Sequence, residues 1–357
     1  MEVAAAAGAL AVTLLFAMWL EFHLGGNRGV HRFDDIVTAL AALTACLACL
    51  AAAKRSRQAM RRFWGLIGLA LVAWTSAEVI WAVYDLALRV PVPVPSWADV
   101  GYLGAIPLAA AALLCHPGMR VAGTHKARAT LDGLAIGTAL LLLSWTFVLG
   151  PLWRHTDLTS SGGIVALAYP FGDLVILFLV VLSVRATIET GRRTLLWVLL
   201  GLFAMAVADS TYAYLLEAGR YATGNLVDTG WVLGYLAIAV GASSESGLEV
   251  RLTPVETEEA SLVALVTPYV PVVVALSAIT VELELHRHID RVSWLTGFGL
   301  ALLVIVRQAL LLVDRRNYLF ATKPRPPQPR STSGGSIASE DGLEAAPWPL
   351  FVRRTRP

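Results

Sequence analysis

The chain has 357 residues, is 57% hydrophobic and only 15% charged, and carries a formal net charge of +2. Soluble domains average about 25% charged residues, so this composition, with a mean hydropathy of +0.65, excludes an ordinary soluble protein. The small basic surplus suits anionic lipid and excludes nucleic acid as a partner, and three cysteines, all in apolar stretches, provide no disulfide framework.

Ten hydrophobic stretches run over roughly 3–20, 36–53, 63–84, 97–116, 130–150, 164–184, 195–216, 229–244, 263–281 and 292–313. About 20 apolar residues cross a bilayer core as a helix. Within lipid the backbone must satisfy its own hydrogen bonds, which favours helices. The expected fold is therefore all-α: a polytopic membrane helix bundle of about ten transmembrane helices. The start Met1-Glu2-Val3 lacks a basic flank, so the first span is expected to remain as a span and not act as a cleaved signal.

Charge sets the expected orientation. With the N-terminus in the cytoplasm, the inner loops and the C-terminal tail hold 20 of the 28 Lys and Arg residues, including the cluster Lys54, Arg55, Arg57, Arg61 and Arg62. The positive-inside rule then places a multi-pass protein in the cell membrane with both termini cytoplasmic. Residues 1–320 form the expected integral membrane helical domain. Residues 321–357, rich in Pro, Arg, Ser and Gly, are too poor in apolar residues to form a core and are expected to be a disordered cytoplasmic tail.

Taken in chain order, span 2 carries Cys46-x-x-Cys49, two thiols on one helix face that read as small packing residues or as a redox pair. Span 3 places Trp74, Glu78, Trp81 and Asp85 on one face. Span 4 opens with Asp99 and Tyr102 and contains Pro107. Asp132, at the inner start of span 5 beside Arg128, reads as a solvated helix start.

Span 6 contains Tyr169-Pro170-Phe171-Gly172-Asp173, where proline removes a backbone donor and predicts a broken helix beside an acid. Spans 7 and 8 carry Asp209 with Tyr212, then Asp228 with Trp231 and Tyr235. Pro268 and Pro271 predict kinks in span 9, and the loop after it holds His286 and His288, which read as a solvated loop or a metal or pH site. Span 10 contains Arg307 and runs on as an exit helix. Arg307 either snorkels to the inner headgroups or pairs with a buried acid, for which Asp173 is the candidate.

The chain echoes itself. AEVIWAVYDLA at 77–87 matches ADSTYAYLLEA at 208–218, and ADVGYLG at 98–104 matches VDTGWVLG at 227–234. Glu78 pairs with Asp209, Trp81 with Tyr212, Asp99 with Asp228, Gly101 with Gly230, and Tyr102 with Trp231. Four spans per unit would preserve orientation, giving a four-helix parallel internal repeat.

Ionisable groups are costly in hydrocarbon and usually face protein or water. Acids set beside aromatics can form a pocket for a cation, with charge to select it and π-faces to hold it. They can equally form an interfacial aromatic belt. The candidate ligand-binding residues are Trp74, Glu78, Trp81, Asp99, Tyr102, Asp209, Tyr212, Asp228 and Trp231, with Pro170, Asp173 and Arg307 as structural or relay residues. No nucleophile–base pair stands out, so no catalysis, cofactor or metal is expected.

AYPFGDLVILFLV, ADSTYAYLLEAGRYATGNLVDTGWVLGYLAIAVGA and VRQALLLVDRRNYL resemble the multi-spanning N-terminal sensory region of actinobacterial GGDEF/EAL proteins, which make or degrade cyclic di-GMP. The likeness covers 63–320 and carries over to Asp173, Asp209, Asp228, Trp231 and Arg307. In that family the last helix feeds a GGDEF domain. Neither a GGDEF nor an EAL signature occurs in this sequence, so the resemblance implies no cyclase or phosphodiesterase activity. It implies a non-enzymatic membrane sensor or signalling module acting on a separate cytoplasmic signalling enzyme in trans, with self-association into a homo-oligomer open to it. The alternative from another class is a small cation- or proton-coupled transporter, which membrane acids, broken helices and a repeat would also serve.

Overall fold

The computed structural model describes residues 2–117, 126–186, 189–217, 219–244, 269–286 and 289–321. Ten long helices follow one another: α1 (Glu2–Glu21), α2 (Gly26–Arg55), α3 (Gln58–Ala82), α4 (Trp97–Cys115), α5 (Lys126–Ser144), α6 (Ser161–Ala186), α7 (Glu189–Glu217), α8 (Thr229–Ser243), α9 (Val270–His286) and α10 (Arg291–Ala321). Nine helical stretches among the described residues are long and apolar enough to cross a membrane. The protein is an all-helical, multi-pass membrane bundle. The ninth expected span is seen only as α9, because 263–268 lie outside the described residues, as do most of the expected tail and the His288 loop position.

Met1–Leu311 form one compact unit, and Leu312–Pro357 are assigned to a second. In the first unit, α2 packs against α3 and α8, and α6 packs against α7 and α4. A large core joins α1–α4 with α6–α8. A smaller one, including Ala135, Ala139, Leu142, Ala275 and Leu300, joins α5, α9 and α10.

Small residues set the closest contacts. A Cβ at Gly101 on α4 would stand 2.7 Å from the Ala73 carbonyl oxygen and 2.9 Å from the Ala77 Cβ on α3. At Gly230, leading into α8, it would stand 2.8 Å from the Ala208 Cβ and 3.2 Å from the Ala204 carbonyl oxygen on α7. Ala73, Ala77 and Gly101 correspond in the sequence echo to Ala204, Ala208 and Gly230. The two crossings are therefore the same crossing made twice. Close backbone approach through Gly and Ala is how helices gain contact where lipid supplies no hydrophobic drive. The recurrence is seen at the α3–α4 and α7–α8 crossings.

Several elements depart from expectation. α2 begins ten residues before the apolar span, after Gly25 with φ +90°, so Asp34 and Asp35 are helical and buried. α6 is continuous through Pro170, and α4 through Pro107, so the expected break at Tyr169–Asp173 does not occur. The helical irregularities are wide π turns at Val83–Leu88, continuing α3, and Trp145–Leu149, continuing α5.

Arg307 does not snorkel: it is 4% exposed. Its partner is Asp132, not Asp173: the guanidinium bonds Asp132 and the Tyr269 hydroxyl and lies 4.9 Å from the Tyr269 ring centre. Asp132 is thus a buried ion-pair member and not a solvated helix start. Cys46 and Cys49 are buried free thiols, and the Cys46 thiol donates to the Gly68 carbonyl at 3.7 Å, which matches their packing reading.

Candidate functional site

A cavity of about 340 Å³ lies between α2, α3, α4, α6, α7 and α8. It occupies the half of the bundle away from Lys54–Arg62. It is bordered by the 92–96 segment preceding α4 and by Tyr221 from the α7–α8 connection. Volumes of this size hold small ligands.

Six carboxylates line it: Asp34, Asp35, Glu78, Asp99, Asp173 and Asp209. No Lys, Arg or His is among the described lining residues. Trp74, Trp81, Tyr102, Tyr169, Tyr212, Trp231 and Tyr235 supply ring surface. The Tyr212 ring is central, with its centre 6.4 Å from Trp81, 5.8 Å from Trp231 and 4.5 Å from Tyr221, each edge to face.

Helix geometry explains the positions. Glu78 and Trp81 are three residues apart on α3, as are Asp209 and Tyr212 on α7, so acid and ring share a face. Asp99 is held by the start of α4: it accepts from the Ser96 backbone N–H as part of a capping box, and from the Tyr169 hydroxyl. Tyr235 on α8 donates its hydroxyl to Glu78 on α3 at 2.8 Å, across the two units. Tyr102 lines the same wall as Glu78. In the second unit the Trp231 indole donates to Asp209 at 2.7 Å.

Asp173 and Asp209 face each other from α6 and α7. Asp34 faces Asp228, and the Gly224 N–H donates to both at 2.9 Å. Asp35 faces Asp85, which His31 approaches at 3.3 Å. Tyr221, in the loop outside the spans, donates to Asp228 at 3.1 Å. Burial, followed by the Asp228 and Asp34 charges, holds its phenol well above the ordinary range, so it remains a donor.

The structure thus brings Trp74, Glu78, Trp81, Asp99, Tyr102, Asp209, Tyr212 and Trp231 around one cavity, together with Asp173. Asp228 is buried behind the wall, next to Asp34. Pro170 and Arg307 are not among the lining residues. An aromatic belt would place these rings toward lipid, whereas exposed Trp97, Trp153 and Trp294 have that character.

Asp34 and Asp35 are the site residues that sequence reasoning missed. The available signal was an acid doublet followed by an apolar run, with Asp34, Asp35 and Thr38 on adjoining positions of a helix face.

The arrangement can hold a cation by charge and by π-faces. Among the described residues no group of three His, Cys, Asp or Glu side chains has the geometry to hold a metal ion. No family model matches the chain, and no curated protein and no solved structure is significantly similar to it.

Proposed function

We propose that this integral membrane protein is a non-enzymatic sensor that binds a small organic cation in the acid–aromatic cavity and acts on a separate cytoplasmic partner. The observation carrying this reading is the cavity wall itself: six carboxylates and eight aromatic side chains, Tyr221 included, with no cationic residue among those described. The charge asymmetry of the loops supports a cavity on the outer side of the cell membrane. The resemblance to sensory regions of GGDEF/EAL proteins supports a cyclic di-GMP enzyme as the partner class.

Helix packing supports a route for output. α6 lines the cavity and packs against α5. α5 is tied to α10 by the Asp132–Arg307 pair and, at the other end, through Trp145 to Asp290 between α9 and α10. Ligand-dependent repacking of α6 would reach α10 through these contacts.

A cation- or proton-coupled carrier is the second reading, favoured by the facing carboxylates Asp173 and Asp209. Weighing toward the sensor, the half of the bundle next to Lys54–Arg62 is filled by buried apolar side chains. These include Phe63, Trp64, Ile67 and Leu71 of α3, Leu113 of α4, and Leu195 and Val198 of α7.

The test is paired. Calorimetric titration of the purified protein in lipid nanodiscs with alkylammonium and tetramethylammonium salts should show saturable binding. That binding should weaken at least about tenfold on combining Glu78→Gln with Asp209→Asn, which removes two of the six cavity charges. Proteoliposomes should show no transport of the bound cation. Saturable flux abolished by Asp173→Asn would move the protein to the carrier class, and absence of any cation binding would reject both readings.

A further inference from the structure

Within the organic-cation reading, on which this step rests, the carboxylates differ in what they still need. Glu78 and Asp209 already accept from Tyr235 and Trp231. Asp34 Oδ1, Asp35 Oδ2 and Asp173 Oδ2 are buried oxygens with no hydrogen-bond donor. Asp34 and Asp35 are only 4% and 6% exposed, and both line the cavity. A buried acceptor left without a donor is costly, so these oxygens mark where a ligand's N–H groups belong. A primary ammonium brings three donors, whereas a quaternary ammonium brings none.

The unsatisfied oxygens sit at two poles. One is on α2, at Asp34 and Asp35. The other is on α6, at Asp173. The two poles stand on different helices of one cavity, whose wall also carries Glu78 on α3 and Asp209 on α7 with their donors already in place. The rings of Trp81 and Tyr212, 6.4 Å apart and each three residues on from Glu78 and Asp209, line the same cavity and offer a methylene chain apolar surface. α2 and α6 also hold corresponding places in the two repeat units, each packed on the other unit's last helix.

We propose that the ligand is an aliphatic diamine, with one ammonium at the Asp34–Asp35 pole, the other at Asp173, and the methylene chain across Trp81 and Tyr212.

The test compares cadaverine, pentylamine and tetramethylammonium by calorimetric titration in nanodiscs. Cadaverine should bind at least about tenfold more tightly than pentylamine, as expected for one added charge-assisted contact, and tetramethylammonium should be weakest. Asp173→Asn should bring cadaverine to within about twofold of pentylamine, because the second pole is gone. Asp173→Glu, which keeps the charge, should retain the preference, and the thermal midpoint of each unliganded variant checks folding. Equal affinity for cadaverine and pentylamine, or tighter binding of tetramethylammonium, would overturn the diamine while leaving the organic-cation reading standing. Failure of all three cations to bind would reject both.

Discussion

Tyr235 donates its hydroxyl to Glu78 at 2.8 Å, joining residues 157 positions apart and tying the last helix of one repeat unit to the acid-bearing helix of the other. The bond fixes a cavity carboxylate from the opposite unit. Removing the hydroxyl leaves a carboxylate oxygen short of a donor, which costs about 1–3 kcal/mol when buried. Tyr235→Phe should therefore lower the thermal midpoint in detergent. Combined with Glu78→Gln it should cost less than the two single changes added together. Simple additivity in differential scanning fluorimetry would show that the bond contributes nothing of its own.

The twin crossings predict twin defects. A Cβ at Gly101 or Gly230 would meet α3 or α7 at distances that force a shift. Gly101→Ala and Gly230→Ala should each destabilise by about 1–3 kcal/mol, the usual result of overpacking. Denaturant unfolding in mixed micelles measures both. A clear loss at one site and none at the other would break the equivalence of the two units.

Arg307 and Asp132 form a buried pair between α10 and α5. Breaking such a pair leaves one charge unmatched, at about 3–5 kcal/mol. Arg307→Ala and Asp132→Ala should each destabilise strongly, and the double variant should lose less than the sum. Asp173→Ala should show no comparable coupling to Arg307→Ala. Coupling to Asp173 and none to Asp132 in the same double-mutant cycle would reverse the assignment.

Asp290, outside the spans, offers a pH test. Partial burial acts to raise its pKa, but the Ser293 backbone N–H, the Trp145 indole and Arg154 outweigh this and hold the carboxyl below its usual range. A carboxyl lowered in the folded state contributes stability above its unfolded pKa of about 3.9. That contribution is lost as pH falls through the lower folded value. Asp290→Asn should therefore be less stable than the parent near neutrality, with the gap closing below about pH 4. A gap that stays constant on acidification would remove the titration of Asp290 as its cause.

Much of the bundle was legible because hydropathy and charge act locally. Each apolar stretch overlaps a long helix among the described residues, and the pairings of Glu78 with Asp209 and Gly101 with Gly230 are visible in the sequence echo. Acid and ring three residues apart placed much of the cavity wall on the correct helix faces. Asp34 and Asp35 were not legible as site residues. An apolar window ends at charged residues, although α2 continues through them, Gly224 and Asp228 cover Asp34 from another part of the chain, and Asp85 faces Asp35. The partner of Arg307 was equally hidden, because Asp132 is brought to it by the packing of separate helices and not by any local pattern. Pro170 was over-read: a proline near a helix middle is accommodated in α6 without interrupting it.

The central claim is that the acid–aromatic cavity is where a cation binds. The most direct measurement is photoaffinity labelling of the nanodisc-embedded protein with a diazirine-bearing alkylamine, followed by peptide mapping. Crosslinks are expected on α3, α7 and α8 at or beside Trp81, Tyr212 and Trp231, suppressed by excess unlabelled amine and reduced when Glu78→Gln and Asp209→Asn are combined. Labelling confined to lipid-facing residues such as Trp97 and Trp294, and unchanged by competitor, would contradict it.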